Sequence, residues 1–126
     1  MAAAIPIPVA AGERLYGRQA FRPLLEAGAL AYVQPDRKIA APTEAYGARV
    51  MPHNPNGPIS ALVGVHLGAC TPNFEMLEYP RQPADRPPVL QGLPEVVDGC
   101  IQVPERPGWG VALDEEALKA FPAEEG

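Results

Sequence analysis

Along this chain short apolar runs alternate with segments of helical period. The first run, Ile5-Pro6-Ile7-Pro8-Val9-Ala10-Ala11, closes at Gly12. Proline cannot donate to a strand ladder, so the secure strand is its Val9–Ala11 end. From Gln19 to Ala27, Phe21, Leu24, Leu25 and Gly28 recur at spacings of three and four, which predicts an amphipathic helix. Pro23 suits the first turn of that helix and Gly28 its stop. Ala29–Val33 is a second apolar run, ended by Gln34-Pro35-Asp36. Arg37–Tyr46 reads as a helical piece, broken by Pro42 and ending at Gly47. Ala48–Met51 is a third strand, stopped by Pro52-His53. A turn from Asn54 to Pro58 leads into a helix over Ile59–Cys70, apolar nearly all round, as a buried helix is. Phe74–Tyr79 is a fourth strand.

Strands that alternate with helices, each strand nearly continuous in apolar residues, define a parallel α/β architecture. A (β/α) barrel or an open sheet satisfies that pattern. The chain then changes character. Seven prolines lie between Pro80 and Pro107, with Val96-Val97 and Cys100-Ile101-Gln102-Val103 as edge pieces between them. From Asp114 a capped helix is expected, with Glu115 and Glu116 in its first turn and Leu118 and Phe121 behind them.

Composition modifies this picture in three ways. Seventeen Pro and twelve Gly among 126 residues come to about 23%, roughly twice the usual share. Much of the chain is therefore loop, although 47% apolar residues still suffice for a core. A net charge of −5 argues against nucleic acid as a partner. No apolar run reaches the roughly 18 residues of a membrane span. The N-terminus lacks the basic region of a signal peptide, so a cytoplasmic protein is expected. Cys70 and Cys100 supply neither a disulfide framework nor a zinc pattern, and are read as free thiols.

Each of the four expected strands delivers a polar residue at its C-terminal end: Glu13, Asp36, His53 and Glu78. In a parallel barrel that is the face on which active sites are built. Three carboxylates and an imidazole suit proton transfer beside a metal ion. Taken singly, each has a plainer reading. Glu13 and Glu78 are solvated loop or strand-end carboxylates, Asp36 is a helix cap, and His53 is an exposed turn histidine. Their recurrence at four successive strand ends favours a site. His66 inside the buried helix is read as a core histidine, and Trp109 as a packing residue on a closing strand.

Gly12-Glu13-Arg14, Gln34-Pro35-Asp36, Pro52-His53-Asn54-Pro55-Asn56-Gly57-Pro58 and Thr71-Pro72-Asn73-Phe74 with Leu77-Glu78-Tyr79 together carry a resemblance. They resemble the C-terminal part of the mandelate racemase/enolase superfamily, in particular its acid-sugar dehydratases of the galactonate dehydratase type. Val97-Asp98-Gly99, Arg106-Pro107-Gly108-Trp109-Gly110-Val111 and Asp114-Glu115 resemble that family's closing strand and turn. The resemblance implies the C-terminal half of a (β/α)7β TIM-like barrel. Residues 1–79 would then hold strands five to eight, and residues 80–126 a Pro-rich segment with a closing strand and short helix. It also implies a lyase that removes the proton α to a carboxylate, stabilises the enediolate on Mg²⁺ and expels a β-hydroxyl as water. By the same resemblance Glu13 matches one of three acidic metal ligands. His53 matches a general base paired with Asp36, and Glu78 a carboxyl group that hydrogen-bonds at the enediolate.

The chain also departs from that pattern. Nothing in it matches a capping domain, the first two metal ligands or the acid–base partner of the earlier strands. The Gly-Gly loop expected after Asp36 is missing, which shortens the sixth helix. A full barrel takes about 250 residues. Three functions follow: a Mg²⁺-dependent acid-sugar dehydratase, expected as a truncated C-terminal fragment to be weak or inactive alone, a non-catalytic remnant, or a half-barrel interaction module that pairs with a second copy or with a separate N-terminal half. The partners expected are a sugar acid and such a complementing half, with no membrane.

Overall fold

A computed structural model describes residues 4–35, 43–79 and 89–120. The chain divides into two compact units, Met1–Pro80 and Arg81–Gly126.

In the first unit the elements run β1 (Ala10–Ala11), α1 (Gly17–Glu26), β2 (Tyr32–Val33), a 3-10 turn (Glu44–Tyr46), β3 (Arg49–Val50) and α2 (Pro58–Ala69). The strands form one sheet in the order β1-β2-β3, all parallel, with Ala10 opposite Tyr32 and Val33 opposite Val50. Backbone bonds extend the pairing one residue each way: Ala31 N–H donates to Val9 O, Gln34 to Ala11, Arg49 to Ala31 and Met51 to Val33. Parallel strands require crossovers, and α1 supplies the one between β1 and β2. The helix expected over Arg37–Tyr46 falls largely outside the described residues, and its end is the 3-10 turn, closed by Gly47 at φ +67°.

The core lies between α1 and the sheet. Phe21 and Leu25 pack with Val33, Ala48 and Val50, flanked by Leu15 and Leu30. Phe21, Val33 and Val50 are fully buried, each burial contributing about 1.5–3 kcal/mol. The helix begins two residues before its expected start, which places Pro23 in the interior and not in the first turn. Proline there cannot donate to the Gln19 carbonyl, and sheet packing of Phe21 and Leu25 outweighs that loss. At the other end Ala29 N–H donates to Leu24 O and Gly28 N–H to Leu25 O, the paired bonds of a Schellman stop.

Helix α2 opens with Pro58 at its first position and buries Ala61, Leu62, Gly64 and Val65. The segment after it approaches closely. A Cβ on Gly64 would lie 2.5 Å from Leu77 Cδ1, and one on Gly68 would lie 2.8 Å from Phe74 Cε2. Two hydrogen side chains four residues apart thus make the groove in which Phe74 and Leu77 sit. The fourth strand expected over Phe74–Tyr79 is reduced to one parallel bridge, Val50 opposite Phe74. The physical reason is Pro52, which has no N–H to continue the ladder from β3.

In the second unit β4 (Leu90–Gln91) pairs antiparallel with β7 (Ala112–Leu113). β5 (Val96–Val97) and β6 (Cys100–Ile101) form a hairpin. Asp98 and Gly99 join them at φ of 50° and 75°, as a two-residue turn of the I′ kind requires. The tail helix α3 (Glu115–Leu118) is capped by Asp114, whose carboxylate accepts from Ala117 N–H at 2.9 Å. Trp109 is half-exposed in the turn before β7 and does not lie on a strand. Cys70 and Cys100 are exposed free thiols, one in each unit. No helix among the described residues is long and apolar enough to cross a membrane.

Candidate functional site

Parallel strands all present their C-terminal ends at one edge of the sheet, and the candidate residues follow those ends. Glu13 comes two residues after β1, His53 three after β3, and Glu78 four after the bridged Phe74. Asp36, expected after β2, lies outside the described residues.

Glu13 is half-buried, and its Oε2 accepts from Gly12 N–H at 3.2 Å. Its carboxyl is held below the usual carboxylate value, chiefly by hydrogen bonds from its own and Gly12's backbone, with the charge of His53 adding to the effect. The His53 contribution is smaller than that of the backbone bonds. His53 is half-buried. With Asn54, Ser60 and Leu77 it lines a small cavity of about 20 Å³ between the loop after β3 and helix α2.

Glu78 is exposed but held. Asn54 N–H donates to Glu78 Oε2 at 2.9 Å, and Asn54 Nδ2 donates to the Glu78 carbonyl at 3.0 Å. The structure thus brings Glu78 to the residue adjoining His53. Asn54 was not singled out in the sequence, where it stood within the Pro52–Pro58 motif as a turn former. The available signal was an asparagine between a histidine and a proline. Asn73 is a second such residue. Its Nδ2 donates to Thr43 Oγ1 at 2.9 Å and to the Ala48 carbonyl at 2.8 Å, tying the 3-10 turn to the segment that carries Glu78.

Residues 1–117 match the family described as Enolase C-terminal domain-like, and the chain belongs to that family within the enolase superfamily. Among similar proteins is a D-galactonate dehydratase of Ralstonia nicotianae, 36% identical over 140 residues, covering 91% of this chain and 35% of that protein. A mandelate racemase/muconate lactonizing enzyme from Sulfitobacter sp. superposes with a TM-score of 0.84 at 37% identity, over 99% of this chain and 34% of its own. An enolase from Pantoea ananatis with bound D-gluconate and Mg superposes at 0.79 and 29% identity, over 96% and 32%. The chain spans about a third of the length of the relatives it matches.

The family implies a divalent metal. Mg²⁺ takes about six oxygen ligands and is commonly held through one or two carboxylates with water and substrate. Among the described residues no group of three or more His, Cys, Asp or Glu side chains is arranged to hold an ion. Glu13 offers one carboxylate, already engaged by Gly12. The described residues therefore do not by themselves amount to a Mg²⁺ site.

Proposed function

We propose that this chain forms the C-terminal half of a TIM-like barrel with the chemistry of an acid-sugar dehydratase, working with a complementary portion of the barrel. The observation that carries the reading is that Glu13, His53 and Glu78 each follow the C-terminal end of a strand or bridge of one parallel sheet. Glu78 is bonded to the residue beside His53. The dehydratase relatives support the substrate class, a sugar acid.

In this reading His53 is the general base, taking the α-proton of the sugar acid onto an imidazole nitrogen, and Asp36 orients it. The β-hydroxyl leaves as water with a proton from an acid group. Glu78 Oε2 accepts from Asn54 N–H, and in this reading the carboxyl group so held faces the substrate. Glu13 would offer one carboxylate toward Mg²⁺, and further ligands would have to come from outside the described residues. A cytoplasmic setting suits such sugar-acid chemistry.

A second reading, a non-catalytic module that docks through its sheet, is favoured by one feature. Within the described residues β1 pairs only with β2, leaving one open sheet edge.

The test is α-proton exchange. D-galactonate and Mg²⁺ in deuterated water are incubated with the chain, alone and mixed with a separately expressed N-terminal portion of the Ralstonia dehydratase. Deuterium at the α-carbon is expected in the mixture and is abolished by His53→Asn. Exchange that survives in that variant removes His53 from the mechanism. Absence of exchange in every combination overturns the dehydratase reading in favour of the docking module.

A further inference from the structure

The pairing of β3 with the segment after α2 keeps a single register. Val50 lies opposite Phe74, with Val50 N–H donating to Asn73 O and Glu75 N–H to Val50 O, both at 2.9 Å. In a parallel ladder donors recur at every second residue, so the next one on this side is residue 52. Residue 52 is proline and has no N–H. The regular ladder stops there.

Asn54 takes it up again. Its two bonds to Glu78 span 24 residues, the same offset as the bridge between Val50 and Phe74. One bond comes from the backbone, as in a ladder, but reaches a side-chain carboxylate. The other comes from the side chain and reaches a backbone carbonyl. Together they hold residue 78 at both its ends. The side-chain amide has only one workable orientation, because turning it over would set Oδ1 against the Glu78 carbonyl, acceptor against acceptor.

This grip has a cost that shows in the structure. Asn54 is 2% exposed, and its Oδ1 is buried without a hydrogen-bond partner. A half-satisfied buried amide is destabilising relative to an apolar residue of like size. Its two donated bonds are the compensation, and both go to Glu78.

We propose that Asn54 is a positioning residue that bridges the ladder across Pro52 and fixes the Glu78 carboxylate against the His53–Asn54 peptide. The inference deepens the dehydratase reading and rests on it only for what Glu78 then does.

Amide proton NMR on the whole chain tests it. In the unaltered protein the Asn54 amide proton should be shifted downfield by its carboxylate acceptor and should exchange slowly with solvent. Glu78→Ala should remove that shift and speed its exchange by about tenfold, the factor expected for one charge-assisted bond. The Val50 and Glu75 amides should stay protected. Asn54→Asp and Asn54→Ala keep the backbone donor but lose Nδ2, and the shift at position 54 should fall in both. An unchanged Asn54 amide in Glu78→Ala overturns the proposal, as does a retained shift in both Asn54 variants. Glu78 is exposed, so the Glu78→Ala variant serves even where the Asn54 variants fail to fold. A chain that shows these shifts yet supports no α-proton exchange in any combination would lose the dehydratase reading and keep this one.

Discussion

Gly12 stands at the junction between the core and the site, and Gly12→Ala probes both. Its φ is +125°, in a region that side chains rarely adopt, and a Cβ built there would lie 2.4 Å from Cε1 and 2.8 Å from Cζ of Phe21. Phe21 is fully buried against Val33 and Val50, so its ring has no free space to retreat into. The backbone strain is worth about 1–3 kcal/mol. Overpacking the ring adds about 1–3 kcal/mol. Together they put the expected loss at about 2–6 kcal/mol of the first unit's stability. Gly28→Ala serves as control, because Gly28 has φ +57° and nothing within 4 Å of its built Cβ. It carries strain alone, about 1–2 kcal/mol. Urea unfolding followed at the methyl resonances of Val33 and Val50 reads the first unit directly. With a slope of about 1 kcal/mol per molar urea for a small unit, Gly12→Ala should lower the midpoint by roughly 2 M or more. A Gly12→Ala midpoint no lower than that of Gly28→Ala would refute the clash with Phe21, and with it the packing that sets the end of β1.

Four further variants have outcomes set by the structure. Because the Glu13 carboxyl is held below its ordinary value, it contributes stability that is present above that ordinary value and is lost as pH falls through the lowered one. Glu13→Gln should therefore flatten the acid limb of the stability curve, and His53→Asn should move the Glu13 carboxyl ¹³C titration upward; no movement would mean the two are not neighbours. Asn73→Ala removes two hydrogen bonds and leaves the fully buried Thr43 hydroxyl without this donor, a loss of about 2–3 kcal/mol in urea unfolding. Asp114→Ala removes the cap of a four-residue helix, so the Cα secondary shifts of residues 115–118 should collapse toward coil values while the β5–β6 hairpin keeps its own.

The elements most legible in the sequence were those with a redundant signal. For α1, apolar spacing and Gly28 agree, and for α2 the Asn54–Pro58 turn and the apolar run after it agree, with the start one residue earlier than expected. The three parallel strands were legible from apolar runs, but their lengths were not, since pairing depends on partners far away in the chain. Phe74–Tyr79 shows the limit. Read alone it is a strand, yet whether it pairs is decided by Pro52, which belongs to the opposite partner. The Asp98-Gly99 turn was read through a family resemblance, while its positive φ values alone explain the hairpin.

The candidate site divides along the same physical line. Its charged members, Glu13, His53 and Glu78, were legible because they follow strand ends, a purely sequential property. Asn54 was not, because its work depends on a residue 24 positions later and on a donor missing at Pro52. Neutral hydrogen-bonding residues that orient a charged group leave no pattern in one sequence. They are visible only when the partner is in place, as a buried amide with one atom unsatisfied and two bonds to a single neighbour. The same logic bears on the metal. A lone Glu13 reads as a ligand by its position after a strand, yet an ion needs several ligands converging from different strands, and among the described residues they do not converge. In the proposed reading, what the sheet edge organises by itself is therefore the proton-transfer side of the site, with the Glu78 carboxylate held at the His53–Asn54 peptide.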